Sequence, residues 1–333
     1  MALLNKQVLL AQRPTRKIQS TDFKIVETPL PALADNEVLV KIAHISLDPA
    51  MRGWMNAGTT YIRGVEIGEV MRAFVAGTVA ESKHPDFKEG DTVAGTMGAQ
   101  AYAIVPGKYL TKVDATKVPL SWYVGILGMP GMTSYFGLLE KGLPKEGETL
   151  LVSGAAGMVG SLVGQIAKIK GLKVIGIAGG KEKCDSLITD YGFDAAIDYK
   201  NIDNIAKAIR AAAPNGIDIY FDNVGGEILD AALLNLANHA RVVICGAISQ
   251  YNETNYVGLK NYMKLISARG TLSGIIVLDY FDRAAECITQ LSQWLASGKI
   301  KYKEHTEQGL DRFAEVLNML FTGENKGKLV LNV

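Results

Sequence analysis

The segment Leu150-Leu-Val-Ser-Gly-Ala-Ala-Gly-Met-Val-Gly-Ser-Leu-Val-Gly-Gln-Ile-Ala-Lys168 constrains this chain more than any other. A short apolar run enters Gly154, Gly157 and Gly160, spaced three apart, and a helical period takes over at about Met158. The pattern predicts a strand, a tight turn and a helix. Glycine lets backbone approach a pyrophosphate, and the helix N-terminus offers free N–H groups and the positive end of its dipole. An ordinary β-to-α turn with helix-packing glycines would share the spacing. Placement between a clear strand and a clear helix, with another strand opening at Lys173, favours a dinucleotide site.

The segment belongs to a longer alternation, from about Tyr123 to Lys299. Short apolar runs at 149–152, 173–177, 195–198, 217–221, 241–245 and 271–277 read as strands. Stretches 159–170, 183–191, 204–212, 227–237 and 259–268 between them carry the helical period. Apolar strands separated by amphipathic helices require a parallel sheet covered on both faces, and six of them fit a doubly wound nucleotide-binding sheet. A long helix is expected at 280–297, with Ala284, Cys287, Ile288, Leu291, Trp294 and Leu295 on one buried face.

The chain before Tyr123 reads as strands and turns instead. Residues 38–44 alternate, 74–80, 91–95 and 101–105 are β-rich, and 85–91 is turn material. A small β-barrel-like domain is expected there. A helix at 311–321 and a last strand at 328–332 close the chain, and that strand needs a partner in the first domain. The division is residues 1–122 with 300–333, and residues 123–299.

Composition removes several function classes. Thirty-five Lys and Arg against 34 Asp and Glu leave a net charge of +1, without the basic footprint of a nucleic-acid binder. Cys184, Cys245 and Cys287 are odd in number and far apart, which argues for a reducing compartment rather than a disulfide framework. With no cleavage pattern before Arg13, a cytoplasmic protein is expected. The uncharged runs 118–139 and 149–167 approach membrane-span length, but prolines and glycines interrupt the first and glycines the second, so both read as soluble core.

The second strand of the alternation selects the cofactor. NAD sites commonly end it in Asp or Glu, which grips the ribose 2′-hydroxyl. Here it ends in Gly179-Gly180, with Lys181 and Lys183 behind. A small residue leaves room for a 2′-phosphate and a lysine neutralises it, so NADP is favoured. A solvated helix start would also explain the two lysines.

A β-rich domain followed by a nucleotide fold resembles the medium-chain dehydrogenase/reductase superfamily. Many members carry zinc, yet no Cys precedes Cys184, and Gly64-Val-Glu-Ile-Gly68 lacks the His of the usual Gly-His-Glu stretch. His44 and His84 read as a strand residue and a turn residue, so no metal is expected. Ser46-Leu-Asp-Pro-Ala-Met-Arg-Gly53, Leu127-Gly-Met-Pro-Gly-Met-Thr133, the 153–170 segment, Tyr220-Phe-Asp-Asn-Val-Gly-Gly226, Ile244-Cys-Gly-Ala-Ile-Ser-Gln-Tyr-Asn252 and Gly323-Glu-Asn-Lys-Gly-Lys328 narrow the likeness. They resemble the zinc-independent leukotriene/prostaglandin reductase group, which includes alkenal double-bond reductases and curcumin reductase. The group commonly has Tyr where this chain has Ala50.

The resemblance implies an α/β protein with a GroES-like β-barrel catalytic domain and a Rossmann NADP-binding domain. It implies NADPH-dependent reduction of the C=C bond of α,β-unsaturated aldehydes and ketones, with Tyr251 stabilising the enolate and water supplying the α-proton. Implied cofactor contacts are Gly157, Met158 and Val159 in the loop, and Lys183 and Tyr199 near the 2′-phosphate. Thr133, Asn223 and Asn325 complete the contacts, with Cys245, Ile276 and Leu278 flanking the nicotinamide. Taken without the resemblance, Tyr251 would pass for an interface tyrosine and Asn223 for a turn residue. Asp48 suits a turn, Arg52 a structural ion pair, and Met55, Tyr61, Met129 and Met132 either a cleft or a core. Superfamily dimers pair the exposed sixth strand, so a homodimer is expected. A zinc-free quinone reductase and a non-catalytic NADPH-binding protein are the competing readings.

Overall fold

A computed structural model describes residues 3–256 and 258–333. It divides into two compact units, one running to Gly128 and resuming as Glu304–Val333, the other being Met129–Lys303. Both changeovers lie a few residues beyond those expected.

The first unit opens with an antiparallel pair, β1 (Leu4–Leu10) and β2 (Phe23–Pro29). Then come β3 (Glu37–Ser46), the short helix α1 (Ala50–Trp54), β4 (Phe74–Ser82), β5 (Thr92–Thr96), β6 (Tyr102–Pro106) and β7 (Leu110–Lys112).

The second unit starts with α2 (Met129–Phe136) and then alternates. Its elements are β8 (Thr149–Val152), α3 (Met158–Ile169), β9 (Lys173–Ala178), α4 (Lys181–Thr189), β10 (Ala195–Asp198), α5 (Ile205–Ala212) and β11 (Ile217–Asp222). After them come α6 (Gly226–Leu233), β12 (Leu236–Ile244), α7 (Lys264–Ala268), β13 (Thr271–Gly274) and α8 (Ala284–Ala296). The six strands form one parallel sheet in the order β10-β9-β8-β11-β12-β13. Strand order reverses between β8 and β11, and ligands of such sheets bind at the carboxyl ends beside that switch.

Three expectations in this unit need correction. The strand expected at 241–245 begins at Leu236, because Leu236 pairs with Ile217 of β11, and α6 therefore stops at Leu233. The helix expected over 259–268 is only Lys264–Ala268. The strand expected to run to Val277 ends at Gly274, and a 3₁₀ turn, Val277–Arg283, precedes α8. Tertiary packing fixes that turn: the Tyr280 ring stacks on Phe136 at 4.6 Å, and the Arg283 guanidinium lies 4.9 Å from the same ring.

The chain then returns to the first unit as β14 (Glu304–Gln308), α9 (Phe313–Thr322) and β15 (Lys328–Asn332). A strand has two edges, and β3 uses both. One takes β4; the other is shared by β6, opposite Glu37–Lys41, and by β15, opposite His44–Ser46. The last strand thus finds its host in the first domain, as its apolar pattern requires. Phe313, Val316 and Leu317 of α9, spaced three and four apart, join Val38, Val40, Ile42 and Ile45 in one buried core. Among the described residues no helix is long and apolar enough to cross a membrane.

Candidate active site

The carboxyl ends of the parallel strands gather most of the residues singled out from sequence. At the end of β8 the chain turns at Gly154 (φ +57°), and extended Gly157 leads into α3. A Cβ on Gly160 would stand 2.5 Å from the Gly154 carbonyl oxygen, so only glycine lets α3 sit this close to the turn. The first N–H groups of a helix have no partner within it; the N-cap Gly157 donates its own to the Gly154 carbonyl at 3.0 Å, and Met158 and Val159 begin the helix behind it. Ser134 of α2 bonds the Val159 carbonyl at 3.2 Å, tying α2 to the start of α3. Next to it, the Thr133 hydroxyl donates to the Met129 carbonyl of its own helix at 2.8 Å.

A residue without an expected role organises this end of the sheet. Asp222, at the end of β11, is fully buried. Its Oδ1 accepts from Ser153 Oγ (2.7 Å), Tyr220 Oη (2.6 Å) and the Val224 and Gly225 amides (both 3.1 Å). Its backbone carbonyl accepts from the Cys245 and Gly246 amides at 2.8 and 3.1 Å. One residue thus links the ends of β8, β11 and β12. A buried carboxylate is tolerable because dipoles saturate it. The same burial, with Asp222 nearby, pushes the Cys245 thiol up to about 12, so it stays neutral, and burial raises the Tyr220 phenol as well.

Asn223 hangs from this node. Its backbone amide donates to Ser153 Oγ at 2.9 Å and its side-chain amide to the Ser153 carbonyl at 2.8 Å, leaving the side-chain oxygen to accept. The loop after β12 docks onto it: Ile248 N–H reaches the Asn223 carbonyl at 3.2 Å, and Ser249 Oγ the Val224 carbonyl at 2.6 Å. Tyr251 closes the same loop. Its phenol oxygen accepts the Ala247 N–H at 3.1 Å, and a Cβ on Gly246 would come within 3.0 Å of that oxygen. An oxygen that accepts an N–H becomes a better O–H donor. Beside it, Asn252 Oδ1 is buried with no hydrogen-bond partner among the described residues.

At the sheet's other half, Lys183 lies in the first turn of α4, and Tyr199 follows β10 with its amide on the Ala178 carbonyl at 3.1 Å. Ile276 and Leu278 follow β13, which is held by Ile275 N–H on the Ile244 carbonyl at 3.1 Å.

Comparison with known proteins agrees with this arrangement. Residues 6–113 match the family model described as the N-terminal domain of oxidoreductase, and residues 158–297 the one described as zinc-binding dehydrogenase. The NADPH-dependent curcumin reductase of Escherichia coli is 40% identical over 99% of this chain and 97% of its own length. The NADP-dependent 2-alkenal reductase of Nicotiana tabacum gives the same three figures. The crystal structure of CurA from Vibrio vulnificus in complex with NADPH superposes with a TM-score of 0.94, at 40% identity, covering 98% of this chain and 99% of that one. The chain belongs to the zinc-independent leukotriene/prostaglandin reductase group of the medium-chain dehydrogenase/reductases. It is an NADPH-dependent reductase with a GroES-like and a Rossmann domain.

The residues of this reductase suit NADPH. The Gly154–Gly160 turn is a cradle that a Cβ would fill, the α3 N-terminus carries no acidic residue in its first turn, and Asn252 Oδ1 is a buried acceptor without a donor among the described residues. They do not suit the zinc named in one family description. Among the described residues no group of three or more His, Cys, Asp or Glu could hold a metal. His44 Nδ1 pairs with Asn332 Oδ1 at 2.8 Å within the sheet, and His84 sits in a turn against Gly107.

In the first unit, the 46–53 signature is held by structural contacts. Lys328, 2% exposed, donates to the Leu47 carbonyl (2.7 Å) and Asp48 Oδ1 (2.9 Å), while Ser46 Oγ reaches Asp48 Oδ2. Asp48 and Lys328 thus form an ion pair within this signature. Buried Arg52 donates to the Pro14 and Arg16 carbonyls and to Asn56 Oδ1. Met51 and Met55 are core residues. Asn325 lies in this unit too, where its side-chain amide bonds the Gly327 carbonyl at 2.9 Å.

Proposed function

We propose that this reductase saturates the C=C bond of α,β-unsaturated aldehydes and ketones, and that Tyr251 is its catalytic residue. The observation that carries the reading is the Tyr251 phenol, whose oxygen already accepts the Ala247 N–H and whose O–H is thereby a stronger donor. NADPH, when bound, supplies hydride for the substrate's β-carbon. Tyr251 donates a hydrogen bond to the substrate carbonyl oxygen, where negative charge develops, without introducing a charge of its own. Water protonates the α-carbon.

The N-terminus of α3, at Gly157, Met158 and Val159, holds the pyrophosphate. Lys183 and Tyr199 take the 2′-phosphate. Asn223, through its side-chain oxygen, Thr133, Asn325 and the segments at Cys245, Ile276 and Leu278 contact the remaining cofactor groups. Cys245 acts through its backbone, since its thiol is neutral. A rate comparison between a medium-chain 2-alkenal and a simple quinone tests the substrate class. Faster NADPH consumption with the alkenal is expected; a quinone turned over far faster would reverse the assignment, and fluorescence quenching without any turnover would mark a binding protein.

The enzyme acts as a cytoplasmic homodimer in this reading, its three free thiols suiting a reducing compartment. The sixth strand, β13, is a sheet edge with Leu272 41% exposed, and an uncovered apolar edge invites pairing. Light scattering at micromolar concentration should give twice the 35.8 kDa chain mass; a monomer would remove the dimer.

A further inference from the structure

β9 ends at Ala178, and the next two residues, Gly179 and Gly180, carry no side chains. Two side chains from the turn after β10 lie across this end. A Cβ on Gly179 would stand 2.9 Å from Tyr199 Cε1, 3.0 Å from Tyr199 Oη and 2.9 Å from Lys200 Cε. Glycine at 179 is therefore what allows an aromatic ring and a lysine stem to lie side by side over the strand end. Asp198 fixes the turn from below. Its Oδ1 accepts the Gly180 amide at 2.7 Å and the Lys200 amide at 3.1 Å, and its Oδ2 accepts Asn201 Nδ2 at 2.6 Å. These donors, Gly180 foremost, hold the carboxyl below its ordinary range. The acid that an NAD site would aim at a ribose is here one strand over, engaged by the backbone that aims Lys200.

The lysines nearby differ. Lys181 has its ammonium on Asp185, 2.5 Å away, and points along its own exposed helix. Lys183 stands in the first turn of α4, which follows the glycine pair in the chain, and Lys200 in the turn after β10, with its Cε at Gly179.

We propose that Lys200 is a specificity-determining residue of this reductase, a second cation that binds the 2′-phosphate of NADPH across Gly179, beside the Tyr199 ring. The proposal rests on the family's use of NADPH and is independent of Tyr251 and of the substrate. A phosphate dianion held between cations on two separate elements is recognised more selectively than by one flexible lysine, because each ammonium supplies a charge-assisted bond and neither must move far to do so. Asp198 is the positioning residue of the pair. It keeps the Lys200 backbone in register with Gly180 while its own oxygens are occupied.

The test is binding, not turnover. In the full chain, Lys200→Gln should weaken NADPH, read by fluorescence, and 2′-AMP, read by calorimetry, by about ten- to a hundredfold. NADH and 5′-AMP should change less than about twofold, and Lys200→Arg should retain most of the NADPH affinity. Gly179→Val should reproduce the selective loss by displacing the Tyr199 and Lys200 side chains. Lys200 is exposed, so the melting temperature should not move. Equal losses for NADPH and NADH, or no loss for either, would overturn the role of Lys200. Lys183→Ala separates the two ideas: a selective loss there with none at Lys200 leaves the phosphate to Lys183 alone. If neither variant alters the NADPH-to-NADH ratio, the phosphate assignment at this strand end fails as a whole.

Discussion

Tyr251→Phe is expected to lower kcat/KM for a 2-alkenal by roughly ten- to a thousandfold, with the NADPH dissociation constant unchanged within about twofold. The substitution removes one oxygen and leaves the ring. Two hydrogen bonds are lost in the proposed mechanism: the one accepted from Ala247 N–H and the one donated to the substrate. The first is worth little when water can replace it. The second acts on charge that exists only as the reaction proceeds, which is why kcat should fall more than KM rises. A value of kcat/KM equal to that of the unmodified enzyme would take Tyr251 out of the mechanism.

Asp222→Ala should cost about 2–4 kcal/mol of stability in urea unfolding, and should weaken NADPH binding with it. The side chain is fully buried, and its loss strands the hydroxyls of Ser153 and Tyr220 and the amides of Val224 and Gly225 without an acceptor. Removing the carboxylate also removes the cost of burying it, so the net loss is smaller than the sum of the stranded donors. Binding follows because Ser153 precedes the glycine turn and Asn223 hangs from both its oxygens. A variant within about 0.5 kcal/mol of the parent would show that water or a shifted side chain replaces the hub.

The parallel sheet was legible because each of its strands is a short apolar run between polar helices, a pattern that survives without knowledge of the fold. Thr149–Val152 and Ala195–Asp198 are strands over those same residues. Misplaced boundaries lie where tertiary contact decides. Residues 236–240, Leu-Ala-Asn-His-Ala, look like the end of a helix, yet pairing with β11 starts β12 at Leu236. The turn before α8 depends on Phe136, far away in the chain.

The candidate site divides in the same way. Gly154, Gly157 and Gly160 announce themselves by spacing, and Tyr251 by a motif. Asp222 carries no local mark of its role within Tyr220–Gly226, because that role comes from Ser153 after β8, Tyr220 on β11 and the amides of Val224 and Gly225. Lys200 carries no local signal at all, since what marks it is the nearness of Gly179 at the end of another strand.

The most direct measurement is the product of a 2-alkenal reduced by NADPH and this enzyme, identified by proton NMR. A saturated aldehyde, with the vinyl signals gone and the aldehyde signal kept, is the expected product. An allylic alcohol, formed by reduction of C=O with the C=C intact, would contradict double-bond reduction and the role given to Tyr251.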